Sequence, residues 1–128
     1  MRGLVEKYKP DVLIVDQIRN LDAGEPNFVR TLEKCAQAMR NFAKKYKLVA
    51  ISVTQAADSA TGKTILGRGD IDSSNIGIPG TADLMLGIGC SLSEEYTGIR
   101  TFSFPKNKVS GQKSPVNALF NMATQRIE

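Results

Sequence analysis

The stretch Asp11-Val-Leu-Ile-Val-Asp16 decides the fold of this chain. Four consecutive apolar residues, with no polar residue alternating between them, are typical of a strand that is covered on both faces, as in a parallel sheet. A short helical pattern over residues 2–9 precedes it, and Pro10 ends that pattern. A second strand of the same type is predicted at residues 48–54.

The segment between the two strands predicts one long helix over residues 26–45. Pro26 suits the first turn, and apolar residues recur at steps of three and four, which makes one stripe for packing on a sheet. A strand–helix–strand unit of this kind is a right-handed crossover that joins parallel strands. The stripe consists of Phe28, Leu32, Cys35, Met39 and Phe42.

The second half of the chain begins with a long polar segment, residues 55–81, of a kind that is usually functional or disordered. Further strands are predicted at residues 84–88, 99–104 and 116–122. The last two are joined by the basic turn PKNKVSGQKSP and should pair as an antiparallel hairpin. The expected fold class is α/β, a single domain over residues 1–128 with a mostly parallel sheet and an antiparallel end.

Composition narrows the chemistry, because the chain contains no histidine. The absence of histidine excludes Ser-His-Asp and Cys-His nucleophiles and nearly every zinc site. The functions that remain are catalysis by carboxylates, binding of a hard metal such as Mg²⁺, binding of phosphate groups, or binding without catalysis. A net charge of +4 favours a polyanionic partner, although many small domains are this basic for solubility alone. Cys35 and Cys90 form no CxxC pair, so we expect reduced, packed thiols in a cytoplasmic protein, and no stretch could span a membrane.

Two positions at strand ends could carry chemistry. An apolar strand that ends in an acidic residue, here Asp16, is the Walker B pattern, whose carboxylate holds Mg²⁺ beside a nucleotide's phosphates. Thr54 and Gln55 end the next strand at the same expected edge, and a glutamine amide can accept from an attacking water and donate to a phosphate. Both positions also allow a plainer interpretation, in which Asp16 caps the next loop and Gln55 only forms a turn.

Two basic segments follow. Lys106 and Lys108 are two positions apart at a strand end, so both side chains should point from the same face of the strand. There they could reach a phosphate on a neighbouring molecule. The alternative is a basic turn that is only solvated. The triplet Gly62-Lys63-Thr64 matches the end of a phosphate-binding loop, but Ala57 stands where that loop needs its first glycine. No helix is predicted after the triplet to direct backbone amides at a phosphate, so we interpret it as a coincidence.

The order of these elements resembles the C-terminal half of the ATPase core of DnaB-type replicative helicases, hexameric motors of the RecA-like superfamily in bacteria and phages. The resemblance covers residues 10–122 and includes GTADLMLGIG and FPKNKVSG. It implies a partial RecA-like core, from the Walker B strand to the finger hairpin. It also implies that Asp16 binds Mg²⁺ and that Gln55 senses the γ-phosphate of ATP. Lys106 matches the lysine of the family's finger element, and Lys108 stands where the family usually has an arginine, whose planar fork a lysine lacks.

The resemblance also implies the partners. Residues 56–80 take the place of the family's DNA loop, and their only cations, Lys63 and Arg68, are the candidates for phosphate contacts with single-stranded DNA. The family's phosphate-binding loop and water-activating glutamate precede the Walker B strand and are absent from these 128 residues. We therefore expect no ATP hydrolysis by the chain alone, and expect Mg²⁺ and ATP to bind only in a complete site.

The resemblance further implies a gap in the sheet, because the family's phosphate-binding-loop strand lies between the strand that ends at Gln55 and the later strands. What completes the sheet is left open. A helicase subunit that carries the phosphate-binding loop, a ring of identical chains, or a rearranged sheet would each avoid unpaired backbone groups in the gap. Two other functions share the core pattern. One is a RecA-like recombinase or signalling ATPase, and the other is a non-enzymatic regulator or remnant that joins a helicase ring.

Overall fold

The computed structural model describes residues 2–73 and 76–128. Its mixed α/β composition agrees with the predicted class, and the described chain divides into two compact units, one ending at Gln55 and the other Ala56–Glu128. No helix among the described residues combines the length and the apolar character needed to cross a membrane. The elements are α1 (Arg2–Tyr8), β1 (Val12–Val15), α2 (Phe28–Tyr46), β2 (Val49–Ser52), α3 (Gly77–Thr81), β3 (Leu84–Gly89), α4 (Leu92–Thr97), β4 (Ile99–Asn107), β5 (Val116–Asn121) and β6 (Arg126–Ile127).

In the first unit, β1 and β2 pair in parallel, from Val12 opposite Val49 to Val15 opposite Ser52. The predicted strand–helix–strand unit with parallel strands is therefore confirmed, with α2 as its helix. The helix begins at Phe28, later than predicted, because Asn27 caps it: the Asn27 side chain accepts a hydrogen bond of 3.1 Å from the backbone N–H of Arg30.

The predicted stripe of α2 forms the core of the first unit in its middle part. Leu32, Cys35 and Met39 are buried, and Phe42 is half-buried. Phe28 is exposed, contrary to the prediction, because it lies in the first turn of the helix. A stripe at helical spacing thus identifies the packed face but not where along the helix packing ends.

The prediction that β1 and β2 are covered on both faces is wrong. Alternate residues along both strands are exposed, and Ile14 keeps 65% of its surface accessible. The long helix α2 packs on one face of this two-stranded sheet, and one helix covers only one face. The exposed apolar residues of the strands are Val12, Ile14, Val49 and Ile51.

In the second unit, β3, β4, β5 and β6 form one antiparallel sheet in that order. The predicted β4–β5 hairpin is confirmed, whereas a mostly parallel sheet is wrong for these strands. Residues 90–98 connect β3 to β4 through α4, and a parallel crossover needs about a dozen residues or more. The start of α4 was recognisable from Ser91 and Glu94, which form a reciprocal capping box.

The predicted long loop is largely structured. Its described residues, 55–73 and 76–81, contain two 3-10 turns and α3, and a β-bridge from Ala56 to Ile71 closes the first part. The Ser103 hydroxyl on β4 accepts from the backbone N–H of Leu66 at 3.3 Å and donates to its carbonyl at 3.0 Å. This segment passes so close to β3 that a Cβ on Gly89 would lie 2.5 Å from the carbonyl oxygens of Lys63 and Thr64.

We predict that Gly89→Ala destabilises the protein by about 1–3 kcal/mol, because backbone must move to admit the methyl group. Gly69→Ala is the matched control, since a Cβ there meets nothing within 4 Å, and should stay within about 0.5 kcal/mol of the wild type. Urea unfolding of both variants measures the difference. Equal stabilities would show that residues 63–64 do not pack against β3 in solution.

Candidate functional site

Asp16 and Gln55 lie at the same edge of the first unit. Because Val15 pairs with Ser52 in parallel, the two strands end side by side, and Asp16 follows Val15 directly. The backbone continues the pairing beyond the strands, with Val53 N–H donating to the Val15 carbonyl at 3.2 Å. Both predicted side chains are exposed there, and the peptide bond between Asp16 and Gln17 is cis. The placement agrees with the sequence, while the chemical roles of the two residues stay predictions.

The structure adds a residue that the sequence did not single out. Arg19 lies on a 3-10 turn, Ile18–Asn20, and one guanidinium nitrogen donates a hydrogen bond to the side-chain oxygen of Gln55. Its guanidinium carbon lies 5.6 Å from the centroid of the Phe28 ring, within cation–π range. The only sequence signal was a cation three positions after Asp16, which has no specific meaning in isolation.

The edge at Asp16 and Gln55 is better suited to a hydrated metal ion than to a metal ion enclosed by protein ligands. Across residues 2–73 and 76–128, no three cysteine, aspartate or glutamate side chains cluster closely enough to hold a metal. Mg²⁺ normally keeps several waters and takes one or two carboxylates together with phosphate oxygens. The exposed Asp16 carboxylate fits that pattern as a single protein ligand, with the remaining ligands coming from water and a phosphate.

Lys106 is buried, with 6% of its surface accessible. Its ammonium donates to the carbonyl oxygen of Pro79 and, at 3.1 Å, to that of Gly80, near the C-terminal end of α3. A β-bulge between Met85 and Gly87 places Lys106 on the same face of β4 as buried Ser103. Its predicted role as a finger lysine would require the ammonium to leave these carbonyls, and no observation on the chain tests that role.

Lys108 contrasts with Lys106. Its side chain is 54% exposed, and its ammonium lies 3.8 Å from the Asp83 carboxylate, which is equally exposed. The alternation along the strand had predicted that both side chains leave one face together. That prediction is wrong, because Lys106 is buried and Lys108 is exposed. Of the two, Lys108 has its charge at the surface.

The candidate DNA-contacting cations are both held within the second unit. The Lys63 ammonium lies 2.6 Å from the Asp70 carboxylate, and Arg68 Nε donates to the Pro105 carbonyl at 3.1 Å. Thr64 donates its hydroxyl to Glu94 at 3.1 Å. The next helical element after the Gly62-Lys63-Thr64 triplet is a 3-10 turn, so the triplet lacks the helix of a phosphate-binding loop.

Contacts made by residues 63–67 contribute to lowering the pKa values of two carboxylates, those of Glu94 and Asp70. The backbone N–H of Ser91, 2.7 Å away, lowers the pKa of Glu94 below its usual value, with help from the Ser91 hydroxyl and from Thr64. Lys63 lowers the pKa of Asp70, together with the backbone N–H of Gly67 at 2.7 Å. In both cases the charged form is stabilised by donors in the folded state.

We predict that the free energy of unfolding falls as the pH drops below about 4.3, the usual range of a glutamate. A folded-state pKa below the unfolded one contributes stability that is present above the unfolded pKa and is lost as the pH falls through the folded pKa. Glu94→Gln should reduce this acid sensitivity, and Glu95→Gln, an exposed neighbour on α4, should not. Urea unfolding between about pH 3 and pH 7 measures it, and an unchanged acid loss in Glu94→Gln would contradict the assignment.

Lys106 and Lys108 offer a second matched pair. Lys106→Met should destabilise the protein by about 1–3 kcal/mol, because it leaves the carbonyls of Pro79 and Gly80 without their charged donor. Lys108→Met removes an exposed, loosely paired charge and should change stability by less than about 0.5 kcal/mol. Urea unfolding and hydrogen exchange of the α3 amides test this, and equal effects would show that Lys106 does not hold α3.

Comparison with known proteins gives a fold and no family. Neither a protein-family model nor a curated protein matches this chain. Among solved structures, a DnaB-like replicative helicase, described together with its interactions with primase, superimposes with a TM-score of 0.73 at 14% sequence identity. The match covers 94% of this chain but 31% of that protein, so the chain corresponds to about a third of it. The similarity shows that the chain has the fold of part of that helicase.

Proposed function

We propose that this chain is part of the motor of a DnaB-like, ATP-dependent replicative DNA helicase with a RecA-like core. The observation that carries the proposal is the fold similarity to such a helicase over nearly the whole chain. The order of strands, helix and finger hairpin in the sequence supports the same assignment. Sequence identity is too low to carry over any residue's role, so each role below depends on position and chemistry.

The nucleotide-binding edge would be the end of β1 and β2. Ligands of open parallel sheets bind beyond the carboxyl ends of the strands, which is where Asp16 and Gln55 lie. Asp16 would hold a hydrated Mg²⁺, and Gln55 would contact the γ-phosphate of ATP. The metal would neutralise negative charge on the phosphates when the nucleotide is bound.

The ATP site would need residues that this chain does not contain. The 128 residues have no phosphate-binding loop, so that loop would come from another segment or from a neighbouring subunit of a ring. Lys108, exposed at the end of the β4–β5 hairpin, is suited to act as a finger on an adjacent subunit. A lysine supplies charge but not the bidentate geometry of arginine, so its stabilisation of a phosphate would be weaker.

Single-stranded DNA is the proposed polyanionic partner of the second unit. Lys63 and Arg68 would contact backbone phosphates, which gives affinity without sequence preference. Both side chains are held by intramolecular partners, so DNA phosphates would replace Asp70 and the Pro105 carbonyl as their partners. The resulting affinity would depend steeply on salt, because each phosphate contact releases counterions.

We predict that the chain binds single-stranded DNA and that its affinity decreases when the salt concentration is raised from about 50 mM to about 200 mM. Replacing both Lys63 and Arg68 by alanine should reduce the slope of log affinity against log salt by about 1.4, or about 0.7 for each lost contact. Fluorescence anisotropy of a labelled oligonucleotide measures both effects.

The control is Lys44→Ala with Lys45→Ala, which removes the same net charge from exposed positions of α2. This variant should keep the wild-type salt slope. An equal reduction in both double variants would mean that net charge, and not the segment at residues 56–80, determines binding. Failure of the wild type to bind at low salt would contradict the DNA contacts proposed for this unit.

A further inference from the structure

Arg19 and Gln55 are in direct side-chain contact at the candidate nucleotide edge. They are 36 positions apart in sequence, and both belong to the first unit. Gln55 is exposed, so without a partner its side chain would sample several rotamers. A fixed partner at its amide would select one orientation.

The chemistry of Arg19 determines whether the oxygen or the nitrogen of the Gln55 amide faces it. A guanidinium group carries five N–H donors and no acceptor, so only the oxygen of the Gln55 amide can face it favourably. The amide nitrogen, with its two donors, is then directed away from Arg19. Lysine would also demand the oxygen, but as a point charge it would hold the amide plane less firmly.

Arg19 is itself well held. The neighbouring Ile18 is 1% exposed, and its backbone N–H donates to the Val53 carbonyl at 3.0 Å, which ties the 3-10 turn to the end of β2. The turn is closed by the Leu21 N–H, which donates to the Ile18 carbonyl at 3.1 Å. The Phe28 ring lies beside the guanidinium group and limits its motion on that side. The backbone beneath Arg19 is therefore fixed relative to the strand that leads to Gln55.

We infer that Arg19 is a positioning residue that holds the Gln55 amide by its oxygen, so that the amide nitrogen is available to donate to a phosphate oxygen. The identity of that ligand, the terminal phosphate of a nucleotide, rests on the proposed function. The orientation of Gln55 does not rest on it. Gln55 would then act on the phosphate mainly as a hydrogen-bond donor, and Arg19 would act through Gln55.

The test is the mobility of the Gln55 side-chain NH₂ group in the purified chain, measured by ¹⁵N relaxation. We expect an ordered group in the wild type and an order parameter below about 0.6, the range of flexible groups, in Arg19→Met. Arg19→Lys should restore part of the order. Arg30→Met, which removes an exposed arginine elsewhere in the first unit, is the control and should leave Gln55 unchanged. The exposed Gln125 side chain gives the mobile reference within the same spectrum.

A Gln55 amide as mobile as that of Gln125 in the wild type, or one unaffected by Arg19→Met, would overturn the inference. Should Arg19→Met disturb folding, the reciprocal variant decides: Gln55→Ala, at an exposed position, should increase the mobility of the Arg19 Nε–H group. No change in Arg19 would count against the contact. Because none of these measurements involves nucleotide or DNA, their outcome is separate from that of the DNA-binding experiment that tests the proposed function.

Discussion

The parallel pairing of β1 with β2 is the constraint on which the candidate site depends. Two strands that run in the same direction must be joined by a crossover, which here is α2, and their carboxyl ends must meet at one edge. That edge brings Asp16 and Gln55 together although the helix separates them in sequence. Burial of Ile18 then extends the ordered backbone one turn beyond β1 and delivers Arg19 to the same place.

In the second unit, strand β4 makes the contacts that hold the preceding polar segment in place. Ser103 holds Leu66 through two hydrogen bonds, the Pro105 carbonyl accepts from Arg68, and Lys106 holds the end of α3. The segment at residues 56–80 is thereby attached to one strand at three places. A ligand that bound to this segment would act on contacts made by β4, the first strand of the β4–β5 hairpin.

Most of the cations that the sequence predicts to bind phosphate already have intramolecular partners. Lys63 pairs with a carboxylate, whereas Arg68 and Lys106 donate to backbone carbonyls. Any phosphate they bind must therefore replace an existing partner, which reduces the net gain from each contact. Lys108, exposed and 3.8 Å from an equally exposed carboxylate, is the most easily redirected of these four cations.

The sequence alone determined the features that depend on local pattern. Unbroken apolar runs located β1 and β2, the spacing of Leu32 and Met39 located the packed face of α2, and the basic turn located the β4–β5 hairpin. The positions of Asp16 and Gln55 at one edge followed from the rule for parallel strands. These inferences succeed because periodicity and strand direction need only short-range information.

The tertiary structure alone decided which groups meet. Periodicity shows that a residue can be covered but not by what, so the exposed face of Ile14 was not foreseen. The burial of Lys106 depends on a bulge and on the carbonyls of α3, and the Arg19–Gln55 contact joins residues 36 positions apart. Such contacts have no local signature, because they arise only when packing brings distant segments within hydrogen-bonding distance.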